Sequence, residues 1–247
     1  MVAEALLRKL EYFVRLSPHD KEVLERAAAE RHRNLGPHER ILTEGDKPKV
    51  IYLVLEGWAC RYKHLEDGRR QIVGFFLPGD LCDLNVFILR EMDHSISSIT
   101  SVRLAEITRH SFEEILDGHP RVTQALWWET LVSIAIQREW TVNLGQRDAM
   151  ERMAHLLCEM FVRLRTAGLG RGKSCDFPVT QSELADATGM STVHVNRTLQ
   201  ELRNLKLIHL SGRILTIPDL GRLMQAGLFN ANYLHLDREG AHLDANE

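Results

Sequence analysis

Thr180, Glu183, Gly189, Ser191, Val195, Leu199 and Leu202 follow one another in an order that few folds accommodate. Thr180 and Glu183 form a T-x-x-E capping box, in which the two side chains satisfy the free amides of a helix start. Leu184, Ala185 and Thr188 then share one helical face. Gly189 follows, the residue that takes the left-handed conformation of a tight interhelical turn without steric cost. Ser191 suits the N-cap of a second helix. Val195, Leu199 and Leu202 recur at +4 and +3 and give that helix an apolar inner stripe. Ala185 is small enough to let the second helix cross closely over the first. Leu207–Leu210 and Ile214–Ile217 alternate around Ser211-Gly212-Arg213, which reads as a hairpin with a basic tip. Together these make the outline of a winged helix-turn-helix, a device that lays its second helix in the DNA major groove.

The outward positions of the second helix are Thr192, Val193, Asn196, Arg197 and Gln200. Arginine matches a guanine edge with two donors, asparagine or glutamine matches adenine, and valine meets a thymine methyl. Thr192 and His194 lie near a helix start, where phosphate is attracted to free amides and the positive helix end. Gln181 and Ser191, at the two helix starts, and Arg213, on the wing, complete the expected DNA-facing set. Residues 147–213 carry ten Lys/Arg against seven Asp/Glu, whereas residues 1–146 carry nineteen against twenty-two. A mildly basic head on an acidic chain predicts weak binding by one copy, strengthened by dimerisation. Helix-turn-helix shapes also occur in proteins that bind only protein, so a dimeric protein-interaction module is the competing reading.

With 247 residues the chain is long enough for two modest cores. The four cysteines, Cys60, Cys82, Cys158 and Cys175, form no C-x-x-C, which argues against a zinc ribbon or a clustered iron–sulfur site. The twelve histidines form no H-x-H or H-E-x-x-H, so neither catalytic residues nor metal ligands are expected. A cupin-like metal protein or enzyme would need clustered histidines, yet His38, His64 and His94 are far apart. No run of 18 apolar residues occurs and the first 15 residues are charged, so no secretory or membrane segment is expected and the location is read as cytoplasmic.

The remainder of the chain divides by pattern. Residues 4–30 predict two helices, the second starting at Ser17-Pro18. From Arg33 to about Thr108, short apolar runs alternate with turns at Glu44-Gly45-Asp46, Glu56-Gly57, Glu66-Asp67-Gly68 and Pro78-Gly79-Asp80. That spacing predicts an antiparallel, jelly-roll-like β-roll, with Ile51–Leu55 and Gln71–Leu77 as its clearest strands. Ser111 is expected to cap a short helix that His119-Pro120 interrupts. A long helix then runs from about Arg121 to Leu144 and breaks at Leu144-Gly145-Gln146. On it Trp128, Ala135 and Val142 recur at heptads, while Trp127, Leu131 and Ile134 follow a 4–3 alternation. The double seam predicts one side against its own domain and the other against a second copy. Trp127, Trp128, Leu131, Ile134, Ala135, Arg138 and Val142 are the expected interface. A further helix, Ala149–Thr166, leads by a glycine-rich loop into the helix-turn-helix. The expected organisation is α+β: a β-roll domain over 1–118, a dimerisation helix and hinge over 119–145, a winged helix-turn-helix over 146–220, and an extension over 221–247 without assigned role.

With these pieces in order, the chain resembles the Crp/Fnr superfamily of bacterial transcription regulators over about residues 10–220. The resemblance is carried by Tyr52-Leu53-Val54-Leu55-Glu56-Gly57, Leu65–Ile72, Leu77-Pro78-Gly79-Asp80-Leu81, Glu106-Ile107 before Ser111-Phe112, and the 180–210 segment. It implies a homodimer that binds a short inverted repeat near promoters and contacts RNA polymerase. Arg197 matches the family's usual arginine, whereas Thr192, Val193 and Asn196 match neither of its two familiar recognition sets. The family's cyclic-nucleotide pocket needs Gly-Glu-Leu and Arg-Ser; here Cys82-Asp83-Leu84 and His94-Ser95 occupy those places. A neutral imidazole beside a carboxylate is a poor phosphate clamp, so a cyclic nucleotide is not expected. No cysteine precedes Cys60, which removes the oxygen regulator's N-terminal cluster. Haem through Cys82 or a nearby histidine is not expected either, because a lone cysteine is ordinarily packing. The effector is left open.

Overall fold

The computed structural model describes residues 1–84 and 86–244. Helix α1 spans Glu4–Leu10 and α2 spans Pro18–Ala29. Ser17 caps α2 through a box with Asp20, the two amides donating at 3.0 and 3.1 Å. Eight strands follow: β1 His32–Leu35, β2 Arg40–Leu42, β3 Val50–Glu56, β4 Ala59–His64, β5 Arg70–Phe76, β6 Leu81–Cys82, β7 Ser95–Ser98 and β8 Val102–Thr108. They form two four-stranded sheets, β1-β8-β3-β6 and β2-β7-β4-β5, with antiparallel pairing at each registered ladder. Ile51, Leu53, Val54, Ile96 and Leu104 are fully buried inside the roll. Gly57 makes the β3–β4 turn at φ +81°, and a Cβ there would sit 2.1 Å from the Ser101 carbonyl oxygen, so no larger residue fits.

Helix α3 spans Arg109–Gly118 and α4 spans Pro120–Gln146. The α3 cap is Thr108, not the expected Ser111: the Ser111 amide donates to Thr108 Oγ1 at 3.2 Å. Ser111 is buried inside the first turn and gives its hydroxyl to Glu30. Nor does α4 break at Leu144-Gly145-Gln146; it runs through all three. The interruption falls at Arg147, after which Asp148 and Glu151 form a capping box for α5, Ala149–Thr166. Then come β9 Ser174–Asp176, α6 Gln181–Thr188, α7 Thr192–Asn204, β10 His209–Ser211, β11 Ile214–Thr216 and α8 Leu220–Ala226. Strand β9 was not anticipated. It extends the wing to three strands in the order β10-β11-β9, and three residues are too few to show a period.

The chain forms two compact units. The first comprises Met1–Tyr62, Phe75–Ala135 and the described residues from Leu234 on. Within it the end of the extension is anchored: Arg15 N donates to Asp244 at 2.6 Å, Gly240 N to Phe13 O at 3.1 Å, and Arg121 Nε to Leu243 O at 2.8 Å. The expected extension ends in residues 245–247, which lie outside the described ones. The second unit comprises Lys63–Gly74, the tip of the β4–β5 hairpin, with Ile136–Tyr233. Among the described residues no helix is long and apolar enough to cross a membrane.

Candidate nucleic-acid interface

Helices α6 and α7 are held by their own side chains. Thr180 and Glu183 exchange the capping-box bonds, with Thr180 N donating to Glu183 Oε2 at 2.7 Å and Glu183 N to Thr180 Oγ1 at 3.2 Å. Gly189 ends α6 at φ +66°. Ser191 accepts the His194 amide at 3.2 Å and starts α7. Leu184, Ala185 and Thr188 on one helix, and Val195, Leu199 and Leu202 on the other, are buried as a shared inner face. What remains outside is the expected set. Gln181, Ser191, Thr192, Val193, Asn196, Arg197, Gln200 and Arg213 are exposed, and His194 is half-buried. Val193 is 79% exposed, an apolar side chain that no described residue covers. The Asn196 amide donates to Gln181 Oε1 at 3.2 Å, and Gln200 Oε1 accepts from Arg203 at 3.3 Å. Among the described residues Arg197 has no ion-pair partner. Gly212 and Arg213 make the wing turn at φ +58° and +64°, the two positive angles a tight two-residue hairpin requires.

Behind this face lies a polar framework that the sequence did not announce. Arg152 donates to three carbonyl oxygens: Asn143 at 3.0 Å, Arg147 at 2.9 Å and Thr188 at 2.8 Å. It thereby ties the end of α4, the α4–α5 joint and the end of α6 together. Arg70 on the hairpin tip pairs with Asp186 of α6 at 2.7 Å, and Gln137 donates to Val73 O at 2.7 Å. Deeper, Glu159 is fully buried and accepts from Trp140, Arg163 and Tyr233. Burial raises the Glu159 carboxyl above its usual range, and it pushes the Tyr233 phenol up as well. His155 packs between Phe229 and Tyr233 and beside Arg147; burial first, and that cation second, lower its pKa to about 4. Phe229 and Tyr233 belong to the expected C-terminal extension, so part of that segment is core of the second unit.

The expected seam on α4 separates into two faces. Trp127, Leu131, Ile134, Arg138 and Val142 are exposed, Trp127 and Leu131 by 62% and 60%. Trp128 and Ala135 are buried in their own unit, which removes both from the expected interface. Trp128 stacks on Phe13 at 5.6 Å, and neighbouring Glu129 accepts from Lys9 at 2.6 Å. Grouping Trp128 with Val142 failed because an α-helix drifts by about 20° per heptad, and two heptads carry Val142 round to the outer face.

In the β-roll, the residues at the family's nucleotide-binding places are already engaged. Asp83, at φ +58°, pairs with Arg61 and lies 2.8 Å from His94 Nε2, whose Nδ1 is 2.7 Å from Asp93. Ser95 Oγ accepts the Glu44 amide at 3.0 Å. Cys82 and Leu84 are buried. Arg61 was missed; its only signal was a cation alternating between buried Cys60 and Tyr62 on β4. All four thiols are buried, and burial pushes Cys82 well above its usual range and Cys158 and Cys175 up to about 12. Thiols of this kind are poor nucleophiles and poor sensors.

Comparison with known proteins finds relatives of both parts of the chain. Residues 32–119 match the cyclic nucleotide-binding domain, and residues 151–226 match the Crp-like helix-turn-helix domain. The chain is 31% identical over 216 residues to the transcriptional activatory protein AadR of Rhodopseudomonas palustris, covering 87% of this chain and 86% of that one. It is 30% identical to the transcriptional activator protein FnrL of Cereibacter sphaeroides, over 78% of this chain and 79% of the relative. The structure of FixK2 from Bradyrhizobium japonicum superposes with a TM-score of 0.73 at 27% identity, covering 81% of this chain and 98% of that one.

Proposed function

The chain belongs to the Crp/Fnr family of DNA-binding transcription regulators, not to an enzyme family, and from that premise we propose that it acts as a homodimer on an inverted-repeat promoter site. The observation that carries this reading is the outer face of α7. Val193, Asn196, Arg197 and Gln200 stand exposed there above a fully buried inner stripe, and Arg197 has no carboxylate partner among the described residues. Arg197 reads a guanine, and Thr192, Val193 and Asn196 set a half-site unlike those of the family's familiar members. Ser191, with the half-buried His194, meets the phosphates, and Arg213 reaches the backbone from the wing.

Residues 119–145 supply the dimer helix, residues 1–118 the sensory roll and residues 146–220 the DNA-binding head. The protein works in the cytoplasm and contacts RNA polymerase there. A cyclic nucleotide is not its signal, because the ligand would have to displace Arg61 and His94 from Asp83, and no arginine stands at the phosphate position.

Gel-shift titration against a promoter library at several salt concentrations tests the reading. Sequence-selective shifts whose affinity falls steeply with salt are expected. Absence of selectivity together with a flat salt response would favour the protein-interaction reading. Arg197→Ala should cost about 1–3 kcal/mol at the selected site and relax discrimination at one base pair. Undiminished discrimination would reject the role assigned to Arg197.

A further inference from the structure

An exposed asparagine on a recognition helix is an ambiguous reader. Its amide carries an acceptor on one branch and donors on the other, and a half-turn about χ2 exchanges them. Left free, it meets a base bearing an amino group as readily as one bearing a carbonyl. Asn196 is not free. Its Nδ2 donates to Oε1 of Gln181 at 3.2 Å, across fifteen residues of sequence and from the other helix of the pair. This bond leaves Asn196 Oδ1 and one N–H without a partner among the described residues, on an exposed residue of the face that carries Val193 and Arg197.

The geometry points to Gln181 as a positioning residue that holds Asn196 with its acceptor toward the groove, so that each half-site carries adenine at the base pair Asn196 faces. An amide oxygen with one N–H beside it is the complement of adenine N6 and N7. Guanine and thymine present O6 and O4 there, and either carbonyl would face the asparagine oxygen. Gln181 sits at the first position of α6, where the Thr180–Glu183 box fixes its backbone, and the bond to Asn196 is what sets which end of its amide faces that residue. Its role follows from which end of its amide it offers, and that can be changed one end at a time.

This inference rests on α7 being the recognition helix, and the experiment separates the two. The half-site of the full-length protein is first selected from randomised duplexes. Relative affinities for all four bases at each position are then measured for the wild type and for Asn196→Ala, Gln181→Ala, Gln181→Glu and Gln181→Lys. All the replaced side chains are exposed, and thermal melting verifies that the fold is unchanged. Asn196→Ala should erase the adenine preference at one position. Gln181→Ala should lower it there by about five- to tenfold, the worth of one aligned hydrogen bond. Gln181→Glu can only accept, so it should keep the preference while weakening binding to every sequence through its charge. Gln181→Lys can only donate, so it should turn the asparagine over and shift the preference toward guanine or thymine, while binding to every sequence tightens. If Asn196→Ala changes no position while Arg197→Ala relaxes one, the positioning role is overturned and the placement of α7 stands; if neither changes any position, the placement of α7 is wrong. If Asn196→Ala erases adenine preference but the three Gln181 variants leave it intact, or if Gln181→Glu and Gln181→Lys behave alike at that position, the positioning role is overturned.

Discussion

Leu131→Glu is expected to turn the proposed dimer into monomers and to weaken binding to the proposed inverted repeat by about two to four orders of magnitude. The stripe of Trp127, Leu131, Ile134, Arg138 and Val142 advances by steps of three and four along α4 and is exposed throughout. Such a stripe fits the proposed seam of a two-helix contact. In a symmetric pair a glutamate at Leu131 brings a carboxylate from each copy into an apolar part of the seam, with Arg138 a full heptad away along α4, and burying such charges costs more than the lost leucine contacts. The DNA term follows from linkage of two half-sites: joined heads bind the second half-site at high effective concentration, and separated heads do not. Sedimentation of the wild type and the variant, with gel shifts on full and half sites, reads both effects. A wild type that sediments as a monomer, or a variant that remains dimeric, overturns the seam. Trp128→Glu is the wrong probe, although it is the neighbouring tryptophan. Trp128 is buried against Phe13, so its loss would unfold the first unit and mimic a dimer defect.

The second expected result concerns acid. His155 is 1% exposed and titrates at about 4 in the folded chain, against about 6.5 for a free imidazole. Its folded pKa is therefore depressed, and the unfolded chain binds the proton more readily throughout the window between those values. Stability rises with pH wherever the unfolded state holds more protons. The contribution of His155 is thus complete above about pH 6.5 and is lost as pH falls toward 4, by about 2–3 kcal/mol between pH 7 and 4.5. Glu159 works against this, because its raised carboxyl takes up a proton in the fold first and so gains stability on acidification. The difference between wild type and His155→Gln removes that common background. Urea unfolding across this range should show the wild type losing about 2–3 kcal/mol relative to the variant by pH 4.5. A difference that stays constant with pH would mean that His155 is not held neutral by the α5–Tyr233 core.

The DNA-binding head was legible because its signals are local. A capping box closes over three residues, a left-handed glycine acts within one turn, and an inner stripe repeats every three or four positions, so Thr180–Glu183, Gly189, Ser191 and Val195-Leu199-Leu202 each predict their own surroundings. Ser111 shows the limit of even that logic. It is a good cap, but Thr108 stands three residues earlier, directly after the strand, and takes the role. Arg152, Arg61 and Tyr233 were not legible. Each looks like an ordinary residue in its own neighbourhood, and a decisive partner lies far away in sequence: Thr188 for Arg152, Asp83 for Arg61, Glu159 for Tyr233.

Periodicity along the chain was enough to establish the α+β order of roll, long helix and winged head, and the exposed position of Arg197, because hydrophobic pattern and helix capping depend only on near neighbours. Tertiary structure alone decided which of two adjacent tryptophans faces outward, since one step along a helix rotates a side chain by about 100° and only the packing of Phe13 chooses between them. It also decided that Asp83 is spent on Arg61 and His94 and that Asn196 leans on Gln181. Those pairings form between elements, where sequence spacing carries no information about distance.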